Sequence, residues 1–567
     1  MRLRRLEIER FRGVRALDWK GIGDTACLVG PGDSSKSTIL DAIECVLSPR
    51  WNIPFDDSDF FELNTESPIA IRATVVELPQ ILLRDDKLGL ILQVFDDEIG
   101  EAVPLSEDKD VGNACVIQLS VGGNHEPQWS VIDSRGEHHQ LRTSDREYLG
   151  MLRVGSFVDY HLGWKKGSAL TRITDKGDDV GAVITEATRL AREGLDLDSL
   201  SRLQDAAADA EKHGKELGAV IQKKLTPHLD VSSLSFTGGA LSLHDGKVPL
   251  RRAGLGTRRL MTIAMQYNAT AGHGITLVDE FEQGLEPHRI RQLLRKLRGL
   301  LPEEKDTRVG QLVLTTHSPV VISEMSQSEL VVTRRHSDGH VVIRDISESV
   351  FKAARKRPAA LLARRVVVAE GDTELGVLDA LESLWGKDGS SFAYWGTIIV
   401  DGVGDNGPSI AGAFDALGYR TALFCDSDVT RAKLSRAGNA KIISWDCNRS
   451  TEEAIANDLS DAGFEQTVAL ARESIAADRK SEQSLRDSIA AAAGMQPDTI
   501  GDALQDWVTS VPDLRNVFGK AAKKKGWFKT REFGARLGLI IAAEWDSLEG
   551  KSLYTVLERI RGFAQQR

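Results

Sequence analysis

Cysteine is scarce in this 567-residue chain. Cys27, Cys45, Cys115, Cys425 and Cys447 are odd in number, scattered, and nowhere at zinc-ligand spacing. A disulfide framework and a thiolate metal site are therefore excluded as organising features, and a reducing, cytoplasmic home is expected. Long apolar runs are also missing. No stretch approaches the ~20 apolar residues of a membrane span, and the opening MRLRRLEIERFRG is charged throughout, without an apolar signal segment. A soluble chain with no membrane partner is expected. Positive charge is in deficit, 72 Lys and Arg against 83 Asp and Glu, for a formal net charge of −11. That balance excludes a protein that coats DNA by bulk charge. It leaves room for a DNA enzyme, because a local basic strip supplies phosphate contacts and metal sites draw on carboxylates. With 41% apolar and 27% charged residues the composition is ordinary for globular protein, and the length calls for two or three domains.

The patterning predicts strands at 3–11, 26–29, 69–78, 90–95, 115–121 and 151–160, with a helix over 37–47 after a Gly-rich turn. From about 175 to 225, apolar residues such as Leu195, Leu200, Leu203, Ala207, Ala210 and Leu217 recur at helical spacing among charges. This reads as an inserted helical arm, equally a plain solvated face or a dimer or DNA contact. Strands return at 231–236, 275–278, 311–314 and 329–332. FKAARKRPAALLARR (351–365) is basic, holds a proline and reads as a linker. A second strand–helix series follows at 366–369, 397–400, 421–424 and 441–444, predicting a mostly parallel sheet, and the tail beyond about 450 reads as helical.

Two constellations carry chemistry. Gly30-Pro31-Gly32-Asp33-Ser34-Ser35-Lys36-Ser37-Thr38 follows a strand and opens a helix, as a phosphate-binding loop does. Backbone N–H groups and the helix N-terminus would wrap phosphates, Lys36 would reach the β- and γ-phosphates of ATP, and Ser37 would ligate Mg²⁺. Ser35 stands where the pattern has glycine, and its Cβ disfavours positive φ. The strand Ile275–Val278 ends in Asp279-Glu280, one acid for the Mg²⁺ shell and one to polarise water. Leu312–Thr316 ends in His317, which resembles a switch histidine sensing the γ-phosphate. Between them, Gly254 and Gly256 in Arg252–Arg259 resemble the segment that donates N–H groups to ATP in a facing subunit, which implies a homodimer.

The second constellation is acidic. Val366–Ala369 ends in Glu370-Gly371 with Glu374 four residues on, and Thr421–Cys425 ends in Asp426-Ser427-Asp428. Acids at the C-terminal ends of parallel strands converge on one rim. Four carboxylates there would repel unless Mg²⁺ or Mn²⁺ lies between them, and two such ions suit phosphodiester hydrolysis. The Gly402–Gly407 turn reads as a simple loop, and Glu452 and Glu453 as ordinary helix-start acids. The Lys520–Lys529 strip reads as a DNA contact, with Trp527 and Phe528 as core residues.

In this order the motifs resemble the OLD (overcoming lysogenisation defect) family of ATP-dependent nucleases, over nearly the whole chain. Phe11-Arg12-Gly13, the phosphate loop, Asp279-Glu280 and His317 look like its ABC-type head, shared with RecF-type and SMC-type proteins; Glu370-Gly371, Glu374, Asp426 and Asp428 look like its Toprim ligands. The resemblance implies an α/β fold: an ABC-type P-loop ATPase head with a helical insertion, then a Rossmann-like Toprim domain with a helical C-terminal part. The divisions expected are 1–165 and 231–350 for the two lobes of the head, 166–230 for the insertion, 351–364 for the linker and 365–567 for Toprim. It also implies DNA cleavage or nicking with two divalent ions, dimerisation or higher assembly through the heads, a role in anti-phage defence with accessory proteins, and a lysine near the scissile phosphate, best matched by Lys529. A RecF-like or SMC-like switch that binds DNA without cutting it is the alternative. A topoisomerase or primase ranks last, since no tyrosine in an obvious strand-breaking domain and no zinc spacing are visible.

Overall fold

The computed structural model describes residues 1–50, 53–105, 114–154, 161–164, 201–216, 222–225, 242–269, 274–299, 310–389, 391–477, 482–501 and 503–565, with isolated positions between 165 and 200. In chain order the elements that position the candidate sites are β1 (Arg2–Phe11), β2 (Val14–Lys20), β3 (Thr25–Val29), α1 (Lys36–Leu47), β4 (Ile69–Val76), β5 (Cys115–Val121), β6 (Pro127–Ile132), β7 (His138–Gln140) and β8 (Met151–Val154). After helix α2 (Ser201–Glu216) come α3 (Leu255–Ala269), β9 (Ile275–Val278), α4 (Pro287–Leu297), β10 (Gln311–Thr315), β11 (Leu330–Arg335), β12 (Val341–Asp345) and α5 (Glu348–Lys356). The rest of the chain adds β13 (Arg365–Ala369), α6 (Asp372–Trp385), β14 (Thr397–Asp401), α7 (Gly407–Ala416), β15 (Arg420–Cys425) and β16 (Lys441–Ser444). The tail adds α8 (Thr451–Asp458), α9 (Asp461–Ala477), α10 (Glu482–Ala493), α11 (Leu514–Lys525), α12 (Arg531–Ala543) and α13 (Ser552–Gln565).

This is a mixed α/β chain with a P-loop head and a second α/β unit. An antiparallel sheet, β2-β1-β4-β5-β6-β7, covers a second sheet ordered β8-β9-β10-β3-β11-β12. In the latter every neighbouring pair is parallel except β11 with β12. β9 and β10 are buried at every position, as expected of parallel strands covered on both faces. β1 buries Leu3, Leu6, Ile8 and Phe11, an uneven spacing. A register shift between Leu3 and Arg5 and a positive φ of 57° at Arg10 reset which face points inward. The third sheet, β14-β13-β15-β16, is parallel throughout.

Segment 351–364 departs from the loose linker expected. Residues Glu348–Lys356 form α5 and Pro358–Leu362 a 3₁₀ turn. Val350, Ala353, Ala354, Ala360 and Leu361 are buried in one cluster with Val332 of the head sheet and Val366, Val368 and Leu423 of the third sheet. The apolar positions 350, 353 and 354 fall on one helical face, and Ser347 caps the helix through the Val350 N–H. Proline and charge had masked that spacing.

The strand expected at 90–95 is reduced to Val94–Asp96, preceded by a 3₁₀ turn over 89–91. The one expected at 151–160 is described only to Val154. Of the helical insertion expected at 166–230, the described part centres on α2, and the strand expected at 231–236 lies outside the described residues. The tail after 450 is helical. No described helix is long and apolar enough to cross a membrane, and all five cysteines are free.

Candidate functional site

The loop from Gly30 to Lys36 joins β3 to the N-terminus of α1, the helix end that carries unpaired N–H groups and partial positive charge. Asp33 and Ser35 both take left-handed backbone angles, φ 60° and 66°. Ser35 thus occupies the glycine position in the glycine conformation, and its side chain makes no capping bond to offset the strain. Such a residue costs about 1 kcal/mol or more in the left-handed region, against a smaller entropic loss on introducing glycine. Ser35→Gly is therefore expected to stabilise the chain by up to ~1 kcal/mol in urea unfolding. A destabilised variant would contradict this account.

Lys36 is 5% exposed. Its ammonium folds back on the loop, donating to the carbonyls of Gly30 (3.2 Å) and Pro31 (2.8 Å) and to Ser34 Oγ (3.1 Å). Burial lowers its pKa to about 8, only partly opposed by Asp279 and Asp33. Ser37 Oγ donates to Asp279 Oδ1 at 3.1 Å, so the loop and the end of β9 meet. The same oxygen accepts from Thr315 Oγ1 at 2.6 Å, and Asp279 Oδ2 faces Arg153 at 3.1 Å. Arg153 also holds Asp41 of α1, which Arg12 grips from the Phe11-Arg12-Gly13 turn. Glu280 has a positive φ of 45°, and its N–H donates to Thr315 Oγ1 at 2.8 Å. His317 is exposed at the end of β10, its N–H bound by Glu282 Oε1 at 2.7 Å. Partial desolvation of its ring by the surrounding chain, and then the Lys36 charge, lower its pKa.

Gly254 and Gly256 open α3. A Cβ on Gly254 would meet nothing, whereas one on Gly256 would lie 2.3 Å from the Gly284 carbonyl oxygen. Gly256 thus lets α3 sit against the loop after β9. One turn on, Arg259 is fully buried and ties α3 to the Asp279 and Glu280 carbonyls and to Gln283. Arg153 and Glu282 carry no motif, and Arg259 and Thr315 lie within segments noted for other residues. The lone arginine inside the apolar strand Met-Leu-Arg-Val was the readable sign of Arg153.

The acids of the third sheet gather at one rim. β13 and β15 are adjacent and parallel, so Glu370 and Asp426 leave the sheet side by side, and the Asp426 N–H donates to Glu370 Oε2 at 2.7 Å. Asp426 Oδ1 accepts from the Thr451 N–H (2.9 Å) and Oγ1 (3.3 Å), leaving Oδ2 turned to Lys523. The Lys523 ammonium bridges Asp426 Oδ2 (2.9 Å) and Asp428 Oδ2 (2.6 Å). It arrives there because α11 presses on α8: a Cβ on Gly519, one turn before Lys523, would lie 2.5 Å from the Glu453 Cα. Lys529 is exposed, its field reaching Glu452. Trp527 and Phe528 are core residues, 6% and 1% exposed.

Burial raises the pKa of Glu370 and Asp426. It pushes Glu374 to about 8, a bond from Thr451 opposing and Glu452 and Asp426 adding to the shift, and Glu452 to about 7, with Asp426 again adding. Glu374 Oε2 accepts from the Gly371 N–H at 3.0 Å, and Glu453 is engaged in capping Ser450. Glu452 thus stands with the strand-end acids, whereas Glu453 serves its own helix.

Residues 117–323 match the family described as AAA domain, putative AbiEii toxin, Type IV TA system. A curated protein, "OLD nuclease" from Thermus scotoductus, is 22% identical over 407 residues, 65% of this chain and 71% of that protein. Among solved structures, the SMC head domain from Thermotoga maritima is 14% identical, covering 61% of this chain and all of that one at a TM-score of 0.29. The Smc head with an extended coiled coil from Pyrococcus furiosus, bound to the C-terminal domain of ScpA, is 13% identical, covering 62% and 98% at 0.32. The chain is similar to OLD-family proteins and contains an ATPase domain.

Proposed function

We propose that this relative of the OLD proteins is a DNA endonuclease or nickase whose carboxylate rim hydrolyses phosphodiesters with divalent metal, under the control of an ATP-binding head. The observation that carries the reading is the rim itself. Glu370, Glu374, Asp426 and Glu452 are half-buried to buried and held above the usual carboxylate range; no three of them bring their oxygens within 4.8 Å of one another, and Lys523 is the ammonium drawn between Asp426 and Asp428. A set of oxygen donors with this demand for positive charge fits Mg²⁺ or Mn²⁺.

Glu370, Glu374, Asp426 and Asp428 would hold two such ions, which when bound supply an activated water and stabilise the leaving oxygen. Thr451 fixes the rotation of the Asp426 carboxylate. Lys523 neutralises the rim and, with Lys520, Lys524, Lys525 and Lys529 nearby in sequence, offers cations to a DNA backbone. Lys529 is the candidate for the scissile phosphate. In the head, Gly30, Gly32, Ser35, Lys36, Ser37 and Thr38 would cradle ATP, Asp279 and Ser37 its Mg²⁺, Glu280 the attacking water and His317 the γ-phosphate. Gly254 would serve a facing subunit in a homodimer. The family resemblance assigns the activity to defence against phage DNA in the cytoplasm.

The direct test is supercoiled plasmid with Mg²⁺ or Mn²⁺, with and without ATP. Nicked or linear product that chelation abolishes is expected; plasmid left supercoiled in every combination would overturn the reading.

The rim also fixes a pH dependence. Glu374 and Glu452 titrate at about 8 and about 7, above their ordinary 4.5. The fold therefore holds these protons more tightly than the unfolded chain does. Stability from this source is complete below the unfolded value and is lost as pH rises through 7 to 8. Mn²⁺ replaces the protons, so its stabilising shift in melting temperature should be larger at about pH 8.5 than at about pH 5.5. A shift independent of pH would dissociate these acids from the metal.

A further inference from the structure

Arg334 stands where the phosphate loop meets the third sheet. β11 pairs with β3, Val332 beside Val29, so Thr333 and Arg334 run alongside Gly30 and Pro31. The fit is tight: a Cβ on Gly30 would lie 2.5 Å from the Thr333 carbonyl oxygen. The Arg334 guanidinium lies over the ring of Tyr419, 3.6 Å from its centroid. Nε and Nη2 of Arg334 are buried and make no well-aligned hydrogen bond among the described residues; the Tyr419 side chain is the polar group that supports the charge. Its charge is felt by Lys36. Tyr419 is 2% exposed, and its hydroxyl donates to the Leu361 carbonyl at 2.8 Å. It directly precedes β15, the strand whose other end delivers Asp426 and Asp428. Arg344 of β12 reinforces the junction by donating to the Ala416 carbonyl.

A half-buried arginine whose Nε and Nη2 are enclosed with little beyond the Tyr419 side chain to bond is a costly way to fill this space, and an apolar side chain would pack under the tyrosine without that penalty. We propose that Arg334 is a positioning residue that couples the phosphate loop to the carboxylate rim through Tyr419 and β15, so that nucleotide in the head alters the rim. The proposal rests on the nucleotide and metal roles given above. A phosphate that engages Lys36 releases its bonds to the Gly30 and Pro31 carbonyls. Gly30 abuts Thr333, so the loop cannot rearrange without moving β11. The guanidinium in turn cannot move without the Tyr419 ring. β15 is short, extended and hydrogen-bonded on both sides, so a shift at Tyr419 is passed along it rather than absorbed.

The test uses the full chain with ATP at constant free Mg²⁺, read in two ways. Amide exchange over 416–428 should change about fivefold or more on adding ATP to the wild type, and by less than about twofold in Arg334→Met. Plasmid cleavage should respond to ATP in the wild type and lose that response in Arg334→Met, with its nucleotide-free rate and ATP affinity within about threefold of wild type. Tyr419→Phe, which keeps the ring, should behave as wild type. Tyr419→Leu should behave as Arg334→Met, and the double variant no worse than either. An exchange response retained in Arg334→Met, or absent from the wild type, overturns the coupling whether or not plasmid is cut. Absence of wild-type cutting alone overturns the nuclease reading and leaves the exchange result to decide this one.

Discussion

Asp426→Ala is expected to abolish metal-dependent plasmid cleavage, a loss of about 10³-fold or more in rate. Cation stabilisation of a phosphodiester transition state is worth several kcal/mol, and each ~1.4 kcal/mol is a factor of ten. Asp426 is the acid with the most to lose: it touches Glu370 through its N–H, Thr451 through Oδ1 and Lys523 through Oδ2. Removing it frees Lys523 to pair with Asp428 alone and to relieve Glu370, so the variant should fold. The check is the cleavage rate together with the Mn²⁺-induced shift in melting temperature, both of which should vanish. Cleavage that survives with the fold intact would place the chemistry elsewhere.

Lys36→Ala should weaken ATP binding about 100-fold, because charge-assisted bonds to phosphate contribute ~1.5–3 kcal/mol each. The wild-type ammonium is partly desolvated and carries a pKa of about 8. Arrival of phosphate would raise that value, so binding should take up protons at about pH 8.5 and fewer at about pH 6.5. Titration calorimetry in buffers of different ionisation enthalpy measures both quantities. Unchanged affinity in the alanine variant would mean that the loop does not grip phosphate.

The strands that place the two constellations were legible because parallel, doubly covered strands are continuous apolar runs: Ile275–Val278 and Thr421–Cys425 end where their acids begin. What the sequence hid was long-range. Lys523 looks like its neighbours in a lysine-rich stretch, and only the close approach of α11 to α8 at Gly519 singles it out. Glu452 and Glu453 look equivalent at a helix start, yet one turns to the rim and the other caps Ser450. The roles of Arg153 and Arg259 were hidden because their partners, Asp279 and the turn after it, come from other parts of the chain. The apparent linker misled for the opposite reason, its local composition outvoting a three-residue apolar face.

That apolar face has a consequence for taking the chain apart. Val350, Ala353, Ala354, Ala360 and Leu361 are buried in one cluster with residues of the head sheet and of the third sheet, so no cut near 350 or 364 separates two finished globules. Either fragment would carry half of an oily seam into water and invite aggregation. The head and the third-sheet unit thus share a seam that would have to be rebuilt before either could be borrowed, truncated or traded.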